Sequence, residues 1–211
     1  MATPHTPELE RLSPGNRARV ERTFAALRQR GVEPRYVPDR KAALAQVLEM
    51  LPKGALVSHG SSTTLIEIGL ADALKTPDAG VRYGNLEWQA ETDATKRARV
   101  RARLTAESDV FLGSVQAIAE TGEVVSADAG GSRQAGYVYG PPKVIWVAGI
   151  NKLVPTLEDG LRRLREVALP QEDARMRRAG APGSYVGKLV IYERERPGRM
   201  TLVLVGETLG F

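Results

Sequence analysis

Apolar residues recur first at helical spacing and then in short strand-like runs. Residues 15–30 place apolar side chains on one helical face, and Gly31 ends this predicted helix. A short strand at 35–37 follows, after which Asp39 can cap a second amphipathic helix. This order of elements begins a pattern that continues along the chain.

A strand, a turn of small polar residues and a helix follow in the middle of the sequence. The apolar strand ALVS covers residues 55–58, the turn is HGSSTT, and residues 65–75 carry an apolar helical stripe. A long charged helix is predicted over 92–107 and a buried strand over 110–112. Strands alternate with helices, which is typical of a mainly parallel sheet covered by helices.

The same alternation continues beyond residue 112. Residues 117–126 predict a hairpin, because Thr121 and Gly122 lie between two β-prone runs. The segment KVIWVAG, 143–149, predicts a buried strand, and Thr156 is placed to cap the next helix. The apolar stripe predicted for that helix consists of Leu157, Leu161, Leu164 and Val167.

The C-terminal segment contains two alternating runs around Arg196-Pro197-Gly198. They predict an antiparallel β-hairpin over 185–211 that is added to the sheet. With the preceding elements, the sequence predicts a single α/β domain over 1–211, built as three layers around a mainly parallel, mixed sheet. A chain of 211 residues is long enough for such a domain to bury its own core.

The composition excludes several kinds of functional site. The chain has no cysteine, which excludes disulfides, cysteine nucleophiles, thiolate zinc sites and iron–sulfur clusters held by its own thiolates. His5 and His59 are the two histidines, so we expect no metal site. The first residues are polar and no run approaches the ~20 apolar residues that span a bilayer, so we expect a cytoplasmic protein without a membrane span.

The basic charge of the chain is distributed among acidic residues. There are 30 Lys and Arg residues against 25 Asp and Glu residues, a formal charge of +5. The densest basic stretch, 96–103, has Glu91, Asp93 and Glu107 nearby and lacks interleaved aromatic residues. A solvated, mildly basic surface suited to anionic substrates is favoured over nucleic-acid binding.

Candidate chemistry lies in the loops after the predicted strands, because the carboxyl ends of parallel strands meet at one edge of a sheet. The first loop contains Gly60, Ser61, Ser62 and Thr63. Its amides and hydroxyls can hold a phosphate or carboxylate at a helix start, although Ser62 or Thr63 acting as a helix cap explains the same residues. Glu67 is a candidate base or hydroxyl-orienting residue, and an exposed glutamate is the alternative.

The second loop combines glycines with an acidic and a basic residue. Gly130 and Gly131 allow a backbone to approach a ligand closely, and Arg133 can bind a carboxylate or phosphate with two hydrogen bonds. Asp128 is a candidate catalytic residue. A structural ion pair between Asp128 and Arg133 explains the same two side chains.

The third loop follows the strand KVIWVAG. Asn151 can donate its amide to a ligand, and Lys152 can approach the same anion or act in catalysis, although a simple strand-to-helix connection with an exposed lysine is the alternative. His59 adjoins the first loop, where it is either a general base or, more commonly for a lone histidine, a packing and hydrogen-bonding residue.

Taken together, three segments resemble the LUD-domain family, formerly DUF162, which includes the third component of bacterial lactate-utilization operons. The segments are SHGSSTTLIEIGL at 58–70, DVFLGSVQAIAETGEVVSADAGGSR at 109–133 and YGPPKVIWVAGINKLVPTLEDGLRRLREVALP at 139–170. The resemblance covers about residues 20–178. It implies a fold similar to ribose-5-phosphate isomerase, glucosamine-6-phosphate deaminase, CoA transferases and 5-formyltetrahydrofolate cyclo-ligase.

The resemblance also implies a function. It implies a role in oxidising L-lactate to pyruvate, beside partner subunits that carry iron–sulfur clusters, with no cofactor on this chain. The matched positions are Ser61, Ser62 and Thr63 in the serine-rich turn, Glu67 on its helix, Asp128 and Arg133 in the second loop, and Asn151 and Lys152 at the strand end. No established catalytic role accompanies these positions.

Two departures from the family pattern bear on this interpretation. Many relatives continue into a cysteine-rich tail, where this chain has its predicted hairpin, and Gln116 stands where asparagine is common. Any redox centre is therefore expected on a partner. The alternative hypothesis is a stand-alone enzyme that acts on a sugar phosphate, a folate or a CoA-type substrate, as the implied fold relatives suggest.

Overall fold

The computed structural model describes residues 9–10 and 12–211, so His5 lies outside the described residues. The α-helices are α1 Pro14–Gln29, α2 Arg40–Glu49, α3 Thr63–Glu67, α4 Leu70–Lys75, α5 Gly84–Ala90, α6 Ala94–Glu107, α7 Ser132–Val138, α8 Leu157–Arg163 and α9 Leu169–Arg178. The strands are β1 Val32–Val37, β2 Leu56–His59, β3 Arg82–Tyr83, β4 Val110–Gly113, β5 Ala117–Ala119, β6 Val124–Asp128, β7 Lys143–Gly149, β8 Leu153–Val154, β9 Lys188–Tyr192 and β10 Met200–Val205.

Within the described residues, six strands form a fully parallel sheet in the order β1-β10-β7-β4-β2-β3. Its central strands are apolar on both faces. Trp146 joins the cluster that includes α1, whereas Ile145 and Val147 join the cluster formed with α2, α3 and α4. A sheet covered on both sides needs such continuous apolar runs, because neither face of a central strand meets water.

A second sheet lies against the first cluster, and over the same part of the chain its strand order is β8-β5-β6-β9. β5 pairs antiparallel with β6 and parallel with β8. Ile118 and Val124 face the first cluster, while Ala117 and Val125 pack with α8 and the turns that follow it. This arrangement confirms the predicted α/β fold with layered helices and a mainly parallel, mixed set of strands.

The predicted hairpin over 185–211 is wrong. β9 pairs antiparallel with β6 in the second sheet, whereas β10 lies in the middle of the parallel sheet, between β1 and β7. The two runs differ in burial, since every residue of β10 is buried and β9 is exposed or half-buried over most of its length. The run MTLVLV is apolar on both faces, as a central parallel strand requires.

Two predicted helices are interrupted. The helix predicted over 65–75 is divided into α3 and α4 at Gly69, which has a φ of 73°. Thr156 caps α8 as predicted, but π-helical turns at 164–168 separate α8 from α9. Pro170 has no N–H to donate to the carbonyl one turn earlier, which accounts for the wider turn. The added rotation leaves Val167 38% exposed rather than on the apolar stripe.

The charged helix predicted over 92–107 is confirmed as α6, which begins two residues later with Asp93 accepting a hydrogen bond from the Lys96 amide. Its basic side chains are largely exposed. No helix in the described part of the chain has the length and apolar character needed to cross a bilayer.

The central position of β10 predicts unequal costs for two matched substitutions. Leu202→Ala removes a side chain that is 0% exposed and should lower the free energy of unfolding by about 3 kcal/mol. Leu189→Ala on β9, where the side chain is 37% exposed, should cost roughly 1 kcal/mol or less. Urea unfolding of both variants checks this. Equal costs would contradict a central β10 and an exposed β9.

Candidate functional site

The carboxyl ends of β2, β4 and β7 lie side by side in the sheet, and the loops after them surround a cavity of about 280 Å³. Residues 61–64 contribute one wall, 114–116 a second, and Lys152 the floor between them. Asp128 and Arg133, from the second loop, line the same cavity. The structure therefore brings together parts of all three loops that the sequence singles out.

Residues of the first loop both cap a helix and line the cavity. The Ser62 hydroxyl accepts a hydrogen bond from the Leu65 amide at 3.3 Å, so Ser62 is the N-cap of α3. Ser61, Ser62 and Thr63 also line the cavity, as does the adjacent Thr64. Gly60 lies behind this wall, where a Cβ atom would approach the Arg133 side chain to 2.8 Å. Gly60 thus lets Arg133 reach the loop rather than forming part of the cavity lining itself.

Lys152 is the most unusual group of the cavity, because it is only 2% exposed. Its Nζ donates to Thr64 Oγ1 and to Ser114 Oγ, both at 2.9 Å. Ser114 Oγ in turn donates to Thr64 Oγ1 at 3.2 Å. The amine and the two hydroxyls form a compact cluster, which we call the Lys152 cluster. It joins the loops after β2, β4 and β7.

Burial, together with the smaller effect of the positive charges of Arg163 and Arg133, lowers the pKa of Lys152 to about 7. Glu67 acts in the opposite direction. Near neutral pH the amine is therefore present in both its charged and its neutral form. A neutral amine is a base and a nucleophile, which the ammonium group of an exposed lysine is not.

Asp128 and Arg133 face each other at the edge of the cavity. Arg133 Nε lies 3.3 Å from Asp128 Oδ2, and Asp128 Oδ1 accepts from the Gly131 amide at 2.6 Å. Arg133 also donates to the carbonyls of Ala127 and Ser61. These bonds use three of the five N–H donors of a guanidinium group. The structural ion pair is thus present, and two donors remain for a ligand.

Several predicted ligand-binding residues do not line the cavity. The Gly131 amide donates to the Asp128 carboxylate, and Gly130 is not among the residues that line the cavity. Asn151 binds the C-terminal segment, with Nδ2 donating to the Gly210 carbonyl at 3.1 Å and Oδ1 accepting from the Leu209 amide at 3.1 Å. Glu67 is exposed, and its carboxylate accepts from the Gly210 amide at 2.7 Å.

His59 also lies outside the cavity lining. Its Nε2 is 2.6 Å from the Tyr83 hydroxyl, its Nδ1 is 2.8 Å from the Gly60 carbonyl, and its ring stacks on Tyr83. Burial lowers the pKa of His59, so the neutral ring is favoured. This placement is that of a packing and hydrogen-bonding residue.

The wall opposite the strand ends has no counterpart in the sequence predictions. It comes from α9 and residues 183–186, where Glu172 and Arg175 form a bidentate ion pair with both N–O distances at 2.7 Å. Arg101 of α6 also reaches the cavity, bonded to Ser132 and stacked 5.0 Å above the Trp88 ring. Ser114 was missed as well, although its position directly after β4 is a signal that could have found it.

The charges that line the cavity favour an anion. Its cationic groups are Arg101, Arg133, Lys152 and Arg175, and its acidic groups are Asp128 and Glu172. Both acidic groups are already paired with arginine. No group of three or more His, Asp or Glu side chains arranged to hold a metal ion occurs in the described part of the chain. Small carboxylates and phosphates therefore suit this site better than cations.

The fold and the cavity together define an α/β protein whose candidate functional site lies at the carboxyl edge of a parallel sheet. The LUD domain family matches residues 20–205, which is most of the chain and includes β10, and the chain belongs to this family. A DUF162 family protein from Deinococcus radiodurans has a similar crystal structure, with 15% identity, a TM-score of 0.57, and coverage of 92% of this chain and 99% of that one. No curated protein matches the sequence significantly.

The depressed pKa of Lys152 predicts a pH-dependent stability. Between about pH 7 and 10.5 the unfolded chain binds a proton at Lys152 that the folded chain lacks, so this group makes the free energy of unfolding rise with pH, by at most ~1.4 kcal/mol per pH unit. Lys152→Met removes the effect. Chemical denaturation of both proteins from pH 6 to 9 should show the variant gaining most relative to wild type below pH 7. Parallel curves would contradict the depressed pKa.

Proposed function

We propose that this chain is a lactate-utilization-type protein, which binds a small anionic ligand as a component of L-lactate oxidation to pyruvate. The ligand class is a 2-hydroxy or 2-oxo carboxylate. The observation that carries the proposal is the cavity itself, in which Arg133 and Lys152 lie beside the serine and threonine hydroxyls of three converging loops.

The chemistry of the lining supports a carboxylate of this class. The free N–H groups of Arg133 can hold the carboxylate oxygens, since the planar guanidinium group matches a carboxylate with two parallel hydrogen bonds. The hydroxyls of Thr64 and Ser114 can accept from or donate to a 2-hydroxyl or a 2-carbonyl group. The same residues therefore suit lactate and pyruvate.

The size of the cavity supports a small ligand. Its volume of about 280 Å³ lies just below the ~300–1,000 Å³ that is usual for small-molecule sites. A three-carbon acid fits such a volume, whereas a folate or CoA molecule would extend far outside it. This observation favours the lactate proposal over the alternative of a stand-alone enzyme with a large substrate.

The oxidation itself needs an electron acceptor. Conversion of lactate to pyruvate removes two electrons and two protons from the substrate, and the sequence contains no cysteine thiolate to hold an iron–sulfur cluster. We assign ligand binding to this chain and the clusters to partner subunits. The proposed complex operates in the cytoplasm of a bacterial cell.

Ligand-dependent thermal stability tests the first part of the proposal. Purified protein is heated with L-lactate, pyruvate, sugar phosphates, folates and CoA, each at several concentrations. A ligand present at about 100 times its Kd adds roughly 2.7 kcal/mol to the free energy of unfolding, which raises Tm by several degrees for a chain of this size. We expect lactate or pyruvate to give this shift.

Matched arginine variants locate the binding. Arg133→Gln should abolish the carboxylate-induced shift because it removes the guanidinium group proposed to hold the carboxylate, while Arg196→Gln, at a side chain that is 83% exposed, should retain it. A carboxylate shift that survives in Arg133→Gln would contradict the assigned site. A shift with sugar phosphates or CoA and none with lactate or pyruvate would instead support the stand-alone enzyme.

Co-purification tests the second part. The tagged chain is isolated gently, under anaerobic conditions, from the cells that express it. Subunits that contain iron and absorb visible light as iron–sulfur proteins do should co-purify with it. A tagged unrelated protein of similar charge serves as the control. Isolation of the chain without any iron-containing partner, under conditions where the thermal-shift ligand still binds, would overturn the assignment of clusters to partners.

A further inference from the structure

Simple anion binding does not require a buried amine such as that of Lys152. An anion is held well by an exposed ammonium or a guanidinium group, and Arg133 already supplies the latter. Lys152 instead lies among hydroxyls, and within the described residues no carboxylate forms an ion pair with it. Arg133 and Arg163 disfavour its charge still further. This environment favours the neutral amine, which binds anions poorly and reacts with carbonyl carbons well.

We propose that Lys152 forms a reversible imine with the carbonyl carbon of a small 2-oxo acid bound in the cavity. The proposal rests on the proposed function, because Arg133 is taken to hold the carboxylate of that acid. It goes further, since it assigns covalent chemistry to this chain and distinguishes the 2-oxo acid from the 2-hydroxy acid.

The hydrogen bonds of the Lys152 cluster prepare the amine for attack. A neutral primary amine has two N–H donors and one lone pair, and both donors have partners in Thr64 Oγ1 and Ser114 Oγ at 2.9 Å. These bonds leave the lone pair without a partner in the cluster. Thr64, Ser114 and Lys152 all line the cavity, so a carbonyl group bound there is within reach of the amine.

The C-terminal segment limits the freedom of the amine. Gly210 packs against the cluster so closely that a Cβ atom there would lie 2.4 Å from Thr64 Oγ1 and 3.3 Å from Lys152 Nζ. Glu67 and Asn151 hold Gly210 in place through its amide and carbonyl groups. A fixed nucleophile loses less entropy when it reacts, which lowers the barrier.

The reaction balances without an oxidant. The lone pair of Nζ attacks the carbonyl carbon, and the π electrons move to the oxygen. The Ser114 and Thr64 hydroxyls, which are hydrogen-bonded to each other, can pass the two protons of the amine to that oxygen in turn, the first to form the carbinolamine and the second to form the leaving water. Loss of the oxygen as water leaves a C=N bond, and hydrolysis reverses every step. A 2-hydroxy acid has no carbonyl carbon at this position and binds without a covalent bond.

Reductive trapping tests the proposal on the intact protein. Pyruvate and sodium cyanoborohydride are added, and the product is measured by intact mass and by peptide mapping. We expect one reduced pyruvate adduct per chain, located at Lys152, where it also blocks tryptic cleavage. Lactate with the same reductant should give no adduct. Lys152→Met should lose the adduct, while Lys143→Met, which alters the lysine at the start of β7, should keep it.

The pH dependence supplies a second readout. The charged groups that act on Lys152 are Arg133 of α7, Arg163 of α8 and Glu67 of α3, and burial contributes most to lowering its pKa to about 7. At pyruvate concentrations well below saturation, where the rate reports the ligand-free protein, trapping at Lys152 should therefore rise through about pH 7 and level off above it. The trapping rate at an ordinary exposed lysine keeps rising toward pH 10, since its fraction of neutral amine keeps growing.

The outcomes separate the two proposals. Adducts spread over exposed lysines, or a Lys152 adduct that forms equally in Arg133→Gln, would overturn the placement of the 2-oxo acid between Arg133 and Lys152. A thermal shift with pyruvate but no adduct in the wild-type protein would overturn the imine and leave the carboxylate site intact. The absence of both a shift and an adduct would overturn both proposals, and wild-type peptide mapping gives this answer even if a variant fails to fold.

Discussion

The hydrogen bonds from Lys152 Nζ to Thr64 and Ser114 hold the candidate site together. Each of the three residues follows a different strand of the parallel sheet, so the cluster ties the carboxyl ends of β2, β4 and β7 to one another. A buried amine is costly without hydrogen-bond partners, which is why both hydroxyls must be present. The relative positions of the three loops thus depend on this buried cluster of hydrogen bonds.

The C-terminal segment also packs against the Lys152 cluster. β10 lies beside β7, and the chain then turns over the end of β7, where the Ile150 amide donates to the Glu207 carbonyl at 3.2 Å. Leu209 is buried in the cluster formed with α2, α3 and α4. This apolar anchor brings Gly210 onto Thr64 and Lys152. The packing of the parallel sheet therefore determines the environment of the amine.

Much of this arrangement could be predicted from local patterns. The apolar runs at 55–58, 110–112 and 143–149 are short, β-prone and bounded by turns, so they predict three strands of a mainly parallel sheet. The convergence of strand ends then leads to Lys152 and Arg133. β10 was misinterpreted because an alternating run and a continuously apolar run are similar over six residues, and strand order depends on contacts distant in sequence.

The remaining wall of the cavity could not be predicted for a related reason. α9 has no buried residue, so its sequence carries no apolar stripe that would reveal its contact with the cavity. Glu67 and Asn151 are the opposite case, because the sequence predicts them as site residues and the structure does not place them in the cavity lining. Their side chains instead form hydrogen bonds with backbone groups of the C-terminal segment. Hydrogen bonding to a distant segment is decided by the fold and leaves no local pattern.

The pairing of Asp128 with Arg133 affects both neighbours of the ligand. The carboxylate neutralises part of the guanidinium charge, which limits the repulsion between Arg133 and a charged Lys152. It also fixes the plane of the guanidinium group, so that the N–H groups left free keep a constant direction. A carboxylate ligand adds a second negative charge near Lys152, and opposite charges favour protonation. In the proposed complex, binding of the acid and protonation of the amine are therefore coupled, and a strongly depressed pKa is needed for a neutral fraction of the amine to persist beside the bound anion.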